Sequence, residues 1–381
     1  MKPAEQNSSA GAMRPETPET SGRLRTGLTT GVCATAAAVA AARWLLEGRR
    51  LETVEVILPK GQVVSLTLND LEPTPGGAVA GVIKDAGDDP DATHGARVWV
   101  EVNLCGAPGM EFVAGAGVGT VTRPGLVLEP GEPAINPVPR RMIQGHLETL
   151  AAAAGYSGGF RVTVGVDGGE RIAGRTMNAR LGILGGLSIL GTTGIVRPFS
   201  CAAYIASIHQ AIDVARANGC PRVACCTGGT SEAAMREQYG LDDMALIEMG
   251  DLFGAALKYL RRHPLPAVVL AAGFGKLSKF AAGHLDAHSR RSRIDLDALA
   301  EEAADLGGSQ ALVARIRAAN TSAQALADCL EQGVALADRI SARAWQRARG
   351  MLPETTALEV CAVDRAGRIV GWARDAGGLA P

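Results

Sequence analysis

The stretch that decides the fold is residues 222–251, which read RVACCTGGTSEAAMREQYGLDDMALIEMGD. Strand-like and helical segments alternate here and just beyond: strands at 222–226, 244–249 and 267–272, and helices at 231–239 (opened by a Ser N-cap) and 252–262. This spacing requires right-handed crossovers, which build a parallel sheet with helices on both faces. The second half of the chain is therefore predicted to be a three-layer α/β/α domain.

The carboxyl ends of these strands are the first place to expect a ligand. The strand at 222–226 runs into Thr227-Gly228-Gly229-Thr230, where glycines let a ligand approach the backbone and the next helix supplies amide donors. Glu248 ends the following strand and can bind both ribose hydroxyls of a nucleoside. The G-x-G-x-x-G fingerprint is missing, which favours an adenosyl ligand over a dinucleotide. Further candidates at strand ends are Gly250, Gly273 and Gly275; the alternative is that the glycines only make tight turns and Glu248 is a solvated cap.

The first half mixes hairpins with helices, which predicts an α+β domain. Helices are expected at 33–48 and 139–154, a hairpin at 54–68, strands at 79–84, 97–103 and 160–166, and a second hairpin through Asp167-Gly168-Gly169-Glu170 to about Gly174. Toward the other end, 277–284 and most of 295–350 read as helix, and 358–373 as a hairpin. The predicted organisation is a disordered leader at 1–22, an α+β domain at 23–186 and an α/β domain at 187–381.

Composition excludes several classes of function. The 381 residues carry a net charge of −1 and only 4% aromatic side chains, so neither a basic nucleic-acid surface nor a base-stacking platform is expected. No apolar run is long enough to cross a membrane, and the N-terminus lacks a secretory pattern. The eight scattered cysteines predict reduced, mostly buried thiols in a cytoplasmic protein.

The densest group of ionisable residues is KDAGDDPDATHG at 84–95. Its chemistry-bearing members are Asp85, Asp88, Asp91 and His94, and they predict either a metal site or an acid/base site. Carboxylates so close repel one another, which is expected to raise some of their pKa values and to suit proton transfer. A solvated polar loop is the alternative, and the spacing excludes an EF-hand.

Basic residues recur beside glycine, proline and asparagine. Such arginines predict a local grip on a small polyanion, with scattered solvated arginines as the alternative. They are Arg25, Arg123, Arg140, Arg141, Arg175, Arg180 and Arg197. The start of the first helix, Thr29-Thr30-Gly31, is expected to offer free amides to a carboxylate. His284 and His288 could share one helix face, but they lack a third metal ligand, which favours capping or a substrate contact.

Taken together these segments resemble a known family, the cobalt-precorrin-5B C1-methyltransferases of cobalamin (vitamin B12) biosynthesis. RTGLTTGVCA at 25–34 resembles the family's opening R-x-G-x-T-T-G-x-C-A. Five further stretches are similar: the run at 84–95, GVGTVTRPGL at 117–126, PAINPVPRRMI at 133–143, NARLGILGGLSILGTTGIVRP at 178–198 and GKLSKFAAGHLDAHS at 275–289. The segment at 249–257 is similar only loosely.

The resemblance implies methyl transfer from S-adenosyl-L-methionine to ring carbon 1 of cobalt-precorrin-5B, giving cobalt-precorrin-6A and S-adenosylhomocysteine. It implies an N-terminal domain like ribosomal protein S5 domain 2 and a Rossmann-like second domain. Cobalt then belongs to the substrate, no protein metal site is needed, and a homo-oligomer is compatible with the sequence. The adenosyl ribose is expected near Glu248, with Thr227, Gly228, Gly229, Thr230, Gly250, Gly273 and Gly275 around the cofactor.

The corrinoid carries acetate and propionate arms, whose carboxylates accept hydrogen bonds from basic and hydroxyl side chains. The expected substrate-binding residues are Arg25, Thr29, Thr30, Lys84, Arg123, Arg140, Arg180, Lys276 and His288, and Asp85, Asp88, Asp91 or His94 is expected to balance protons. Two other classes stay open. An ATP-dependent small-molecule phosphotransferase would place Mg²⁺ at the Asp cluster, and a non-catalytic tetrapyrrole carrier would need no nucleoside pocket.

Overall fold

The computed structural model describes residues 24–375, which form two compact units divided between Ser200 and Cys201. The boundary thus follows residue 200 and not residue 186, because the segment between them pairs with strands of the first unit. The predicted leader at 1–22 lies outside the described residues.

The first unit contains three helices and thirteen strands within the described residues. The helices are α1 (Thr30–Glu47), α2 (Pro137–Ala154) and α3 (Gly169–Ala173). The strands are β1 (Gly27–Leu28), β2 (Thr53–Ile57), β3 (Val63–Thr67), β4 (Asp70–Thr74), β5 (Gly77–Ile83), β6 (Arg97–Cys105), β7 (Met110–Ala114), β8 (Gly117–Val118), β9 (Thr120–Val121), β10 (Gly159–Val166), β11 (Ile183–Leu184), β12 (Gly186–Leu187) and β13 (Ile195–Val196).

A five-stranded sheet with the order β4-β5-β6-β10-β7 is the centre of this unit, and only its β10–β7 pair is parallel. Helix α1 packs on β5 and β6. Every residue of α1 from 30 to 42 is buried, and most of them are alanine, whose small side chain lets the helix approach the sheet closely. Thr29 caps the helix start and Gly48, in the left-handed region, caps its end.

The second hairpin predicted after residue 166 is wrong. Strand β10 already pairs with β6 on one side and β7 on the other, so neither edge is free for a further partner. Gly168, with φ 65°, instead caps the short helix α3. The Glu170 carboxylate of α3 accepts a hydrogen bond from the Gly117 N–H at 2.7 Å, which ties the helix to β8.

The second unit alternates helices and strands as expected. The helices are α4 (Cys201–Ala217), α5 (Gly229–Tyr239), α6 (Phe253–Arg262), α7 (Phe274–Ala281), α8 (Leu296–Asp305), α9 (Gln310–Arg317), α10 (Ser322–Glu331) and α11 (Leu336–Arg349). The strands are β14 (Arg222–Cys226), β15 (Leu246–Glu248), β16 (Ala267–Gly273), β17 (Ala357–Val363) and β18 (Ile369–Arg374), and a 3-10 turn spans Asp243–Ala245.

Their sheet has the order β15-β14-β16-β17-β18, with four parallel strands and β18 antiparallel at one edge. The mixed α/β character predicted for the chain is confirmed. Two helix starts of this unit differ from the prediction by two residues or more. Helix α5 begins at Gly229 because Ser231 donates to the Gly228 carbonyl at 2.8 Å from inside the first turn. Helix α7 begins directly after β16 and ends at Ala281, three residues before His284.

Candidate active site

Three of the singled-out segments of the first unit meet around the start of α1. The Leu28 N–H donates to the Asp85 carbonyl at 2.8 Å, and the Thr29 N–H donates to the Gly194 carbonyl at 3.0 Å. Strand β1 pairs with β13, so residues 25–31, 84–95 and 190–196 lie together. Gly27 has no room for a side chain, because an added Cβ would lie 2.0 Å from the Ala86 carbonyl carbon.

The other segments join through short strand pairs. Strand β12 pairs with β8 and β11 with β9, which places 117–121 against 183–187. Ile189 forms a bridge with Ile135 just before α2. Stretches that are far apart in the sequence thus lie next to one another in the first unit.

Two amides at the start of α1, those of Gly31 and Val32, are already hydrogen-bonded within the unit. The Gly31 N–H donates to the Leu190 carbonyl at 2.9 Å, and the Val32 N–H donates to the Thr29 hydroxyl at 3.4 Å. The Thr30 hydroxyl is hydrogen-bonded to both backbone groups of Leu190, at 3.1 and 3.2 Å. Thr29 and Thr30 therefore fix the 190–194 segment onto the helix, and the Gly31 and Val32 amides are not free to bind a carboxylate.

Each carboxylate of the 84–95 segment has a partner. Arg25 forms a forked pair with Asp85, and its backbone N–H donates to Asp88 at 2.6 Å. Lys84 is buried and binds both Asp91 and the Thr93 hydroxyl. In addition, Asp89 accepts from the Phe199 N–H at 2.9 Å. These acidic residues hold the segment in place.

The expectation that mutual repulsion raises their pKa values is wrong for Asp85 and Asp91. The hydrogen bond from Arg25, with that from the Gly87 N–H, lowers the pKa of Asp85 to about 2. Burial alone would raise the pKa of Asp91, but the Lys84 ammonium and the Thr93 donors outweigh it and the net shift is downward. Both groups are ionised near neutral pH and poorly suited to supply a proton.

His94 differs from these carboxylates. Its Nδ1 accepts a hydrogen bond from the Ala86 N–H at 3.1 Å, so in the neutral ring the proton sits on Nε2. About half of the side chain is exposed, and Nε2 has no hydrogen-bond partner among residues 24–375. His94 therefore presents an N–H donor to whatever occupies the surface beside this segment.

The basic residues predicted to grip the substrate are placed differently from one another. Arg140 bonds to Glu132 and to the carbonyls of Ile135 and Pro133, which commits its guanidinium to the turn before α2. Lys84 is committed to Asp91. Arg123 and Arg180 are half-buried at the same end of the β9–β11 pair, where the Arg123 side chain lies against Gly182.

A cleft in this unit was not predicted from the sequence. Its volume is about 440 Å³, within the range of small-molecule sites. It is lined by Leu28, Cys33, Ser65, Leu66, Thr67, Leu68, Asn69, Val82, Ile83 and Asp85. Burial raises the pKa of the Cys33 thiol to about 12, so this thiol stays protonated and is not a nucleophile. No sequence motif marks this cleft, because its lining comes from β1, α1, β3 and β5, which are far apart in the chain.

In the second unit, the predicted nucleoside site lies at the carboxyl edge of the parallel sheet. Cys226 of β14 is level with Glu248 of β15 on one side and with Ala271 of β16 on the other. The residues after these strands are therefore neighbours. The Glu248 carboxylate is half-buried and forms no hydrogen bond or ion pair within the described part of the chain, which leaves both oxygens available to a ligand.

One ammonium group connects the three loops at this edge. Lys276 donates to the Thr227 carbonyl at 3.1 Å and lies 3.2 Å from Asp251 Oδ1. The Thr227 hydroxyl also accepts a 3.3 Å hydrogen bond from the Gly273 N–H. Lys276, predicted to contact substrate, is thus placed where it fixes the loop that begins at Thr227.

The glycines of this edge fall into two groups. Gly228 and Gly273 have open space where a side chain would be, so a ligand can approach their backbone. Gly250, with φ 56°, is covered by the Tyr204 hydroxyl, and Gly275 is covered by Ser322. Only the first group is shaped for a ligand. Tyr204 was missed by sequence reasoning because it lies on α4, far from the strand ends in sequence.

The expected helical spacing of His284 and His288 is wrong, because both follow the end of α7. His288 is exposed and its Nδ1 accepts from the Arg290 N–H at 3.2 Å. Between residues 24 and 375, no group of three or more His, Cys, Asp and Glu side chains could hold a metal ion. In the same range, no helix is long and apolar enough to span a membrane.

Comparison with known proteins gives consistent matches over nearly the whole chain. Residues 17–198 match the family model CbiD, and residues 286–374 match CbiD, C-terminal domain. Proteins named cobalt-precorrin-5B C(1)-methyltransferase from Burkholderia vietnamiensis, Burkholderia ambifaria and Burkholderia multivorans are 63%, 62% and 62% identical, over 95% of this chain and 100% of each relative. A crystal structure of the cobalamin biosynthesis protein cbiD from Archaeoglobus fulgidus is 30% identical, with a TM-score of 0.37, over 68% of this chain and 80% of that one.

Proposed function

The chain belongs to the CbiD family of cobalt-precorrin-5B C(1)-methyltransferases, and from that premise we propose that it methylates ring carbon 1 of cobalt-precorrin-5B. The products are cobalt-precorrin-6A and the demethylated donor. The observation that carries this proposal is identity above 60% to relatives of that name, over their entire length. In this proposal cobalt enters as part of the substrate.

The methyl donor in this proposal is S-adenosyl-L-methionine, which supplies an electrophilic methyl group on a sulfonium. Its nucleoside is assigned to the carboxyl edge of the second sheet. Glu248 would accept from the ribose hydroxyls, and the open backbone at Gly228 and Gly273 would lie against the ligand. Thr227, Gly229 and Thr230 supply the start of α5, whose amides favour a carboxylate such as that of the methionine part.

The fold comparisons implied by the family resemblance also belong to this proposal. The second unit is compared with Rossmann-like domains, because its crossovers from β14 to β15 and from β15 to β16 run in opposite directions along the sheet. Right-handed connections of this kind place α5 and α6 on opposite faces. The first unit is compared with ribosomal protein S5 domain 2 only because both contain a largely antiparallel sheet packed against helices.

The corrinoid is assigned to the first unit, where the segments at 25–31, 84–95, 117–126, 178–187 and 190–196 come together. The protein's main contribution is to align the electron-rich ring carbon with the methyl donor and to exclude water. Alignment of two bound reactants lowers the barrier by roughly 7–11 kcal/mol. The eight free cysteines favour a reducing compartment, and we place the enzyme in the cytoplasm.

For proton balance on the macrocycle we propose His94, through Nε2. The carboxylates of Asp85, Asp88 and Asp91 are committed to Arg25 and Lys84, whereas His94 presents an uncommitted N–H. His94→Ala should slow a single turnover at saturating substrate, and His94→Gln should slow it less. An unchanged single-turnover rate in both variants would remove His94 from the chemistry.

The assignment of the nucleoside site is tested by calorimetric titration with S-adenosylhomocysteine. Glu248→Ala should weaken binding by about tenfold or more, since it removes charged hydrogen bonds to the ribose. Glu237→Ala is the matched control, because Glu237 is an exposed glutamate of the same unit, on α5. Equal affinity of Glu248→Ala and the wild type would move the nucleoside to another site, and absence of binding by the wild type would contradict the donor assignment.

A further inference from the structure

The outer edge of β3 has backbone groups that no strand satisfies. In the β2–β3 hairpin, the Leu58 N–H donates to the Gln62 carbonyl at 2.8 Å and the Leu68 N–H donates to the Glu52 carbonyl at 2.9 Å. Hydrogen-bonded pairs recur every second residue in an antiparallel ladder. The pairs Val54–Leu66 and Val56–Val64 are therefore the bonded ones, and Ser65 and Thr67 direct their N–H and C=O groups away from β2.

The opposite edge of the hairpin confirms this alternation. Ile57 of β2 stands in the same phase as Ser65 and Thr67, and its N–H donates outward to His146 Nε2 of α2 at 3.0 Å. His146 Nδ1 is bonded to the Met142 carbonyl at 2.7 Å. One edge of the hairpin is thus bound to α2, while the other edge, at Ser65 and Thr67, has no strand partner among the described residues.

Ser65 and Thr67, which carry these unpaired groups, are among the residues that line the 440 Å³ cleft. Beyond Thr67 the chain returns to the main sheet, where the Asn69 N–H donates to the Gly81 carbonyl at 2.7 Å. Val82 and Ile83 of β5 also line it, together with Leu28 and Cys33 from the opening motif. The lining therefore combines apolar side chains with Ser65 and Thr67, each of which has an outward N–H donor and an outward carbonyl acceptor.

The charge at the cleft permits an anion. Asp85 is the one acidic side chain that lines it. Arg25 engages both carboxylate oxygens of Asp85, which cancels this charge locally. Arg25 is committed to Asp85, and Arg140 is committed to the turn before α2. The Ser65 and Thr67 N–H groups are therefore the donors that we consider for an anion in this cleft. Backbone N–H groups bind carboxylates well in a partly buried setting.

We propose that this cleft is a subsite for peripheral carboxylate arms of the corrinoid, with the Ser65 and Thr67 N–H groups as donors. The inference rests on the proposed function and extends it to a named subsite. The exposed apolar side chain of Ile83 contacts the methylene and methyl groups that flank such arms. The two donors are spaced by two strand residues, about 6.6–6.8 Å, which suits neighbouring arms on the rim of one macrocycle.

Proline substitution tests the proposal at a single hydrogen-bond donor. Thr67→Pro removes one outward N–H and leaves the bonds between β2 and β3, because edge strands accept proline at such positions. Thr53→Pro is the matched control, since Thr53 is the ladder partner of Thr67 and directs its N–H to the opposite edge. Thr67→Val retains the N–H and removes only the hydroxyl.

The first readout is absorbance titration with cobyrinic acid, a corrin with free carboxylate arms, and with its methyl ester. The wild type, Thr53→Pro and Thr67→Val should bind the acid alike and the ester about tenfold more weakly, and Thr67→Pro should lose about tenfold for the acid alone. Equal affinity of the two proline variants for the acid, or equal binding of acid and ester by the wild type, would overturn the subsite.

The second readout separates the subsite from the proposed function. In a methyl-transfer assay, Thr67→Pro should raise KM for cobalt-precorrin-5B about tenfold, with the affinity for S-adenosylhomocysteine unchanged. An active wild type with an unchanged KM in Thr67→Pro refutes the subsite and keeps the function. A wild type that transfers no methyl group refutes the function itself.

Discussion

Replacement of Lys84 by methionine should destabilise the first unit strongly. The Lys84 side chain is 1% exposed, and its ammonium binds Asp91 and Thr93. Removal of one partner of a buried ion pair costs about 3–5 kcal/mol. Asp91 keeps 25% exposure and two donors from Thr93, so the loss should lie near the lower end, at about 3 kcal/mol.

The stabilisation that the Lys84–Asp91 pair provides should depend on pH. The pKa of Asp91 is lower in the folded protein than in the unfolded chain, where it is about 3.9. The pair therefore stabilises the fold above that value, and the contribution is lost as the pH falls through the folded pKa. The difference between wild type and Lys84→Met should be full at pH 7 and should shrink as the pH falls below about 4.

The assay is urea unfolding followed by far-UV circular dichroism at pH 7 and pH 3. Lys60→Met is the control, because Lys60 is an exposed lysine in the β2–β3 turn; it should change the free energy of unfolding by less than about 0.5 kcal/mol. A Lys84→Met protein as stable as this control, or a difference from wild type that is the same at both pH values, would refute the reasoning.

Three further predictions concern contacts away from that pair. Lys276→Met should weaken S-adenosylhomocysteine binding about threefold to tenfold in calorimetry, because it removes the hydrogen bond that holds the loop beginning at Thr227. Lys276→Arg, and Lys258→Met as a control at an exposed site, should bind S-adenosylhomocysteine as the wild type does. Gly27→Ala should lower the free energy of unfolding by about 1–3 kcal/mol, because the added Cβ would collide with rigid backbone. Gly106→Ala is the control, since a Cβ at Gly106 has open space and should change the stability little. The midpoints of urea unfolding measure both effects. His146→Ala should cost about 1 kcal/mol in the same assay, because a backbone N–H of β2 loses its acceptor, and an unchanged midpoint would contradict that bond.

Local patterns were sufficient for most of the secondary structure. The alanine-rich run predicted helix α1 and the glycine that caps its end. The alternation of strands and helices after residue 200 predicted the parallel sheet and the position of Glu248 at the end of a strand. These features depend on residues close in sequence. The hairpin expected after Val166 failed because β10 lies inside its sheet, which depends on β6 and β7, far away in the chain.

The candidate site was predicted less completely than the fold. The sequence predicted a metal site or an acid/base site in the 84–95 segment. The pairing of Asp85 with Arg25 and of Asp91 with Lys84 reverses the expected pKa shift of both carboxylates. Such pairs join residues up to sixty positions apart, as Arg25 and Asp85 do. The cleft beside β3 is lined by residues between Leu28 and Asp85 that are far apart in the chain, and no local pattern encodes that arrangement.

The central claim is that this chain transfers a methyl group to carbon 1 of cobalt-precorrin-5B. The most direct measurement incubates the purified protein with cobalt-precorrin-5B and S-adenosyl-L-methionine carrying a ¹³C-labelled methyl group, and follows the product by NMR. The account predicts one labelled methyl group on carbon 1 for each S-adenosylhomocysteine released. Label at another position, or no transfer while a relative such as that of Burkholderia vietnamiensis is active under the same conditions, would contradict it.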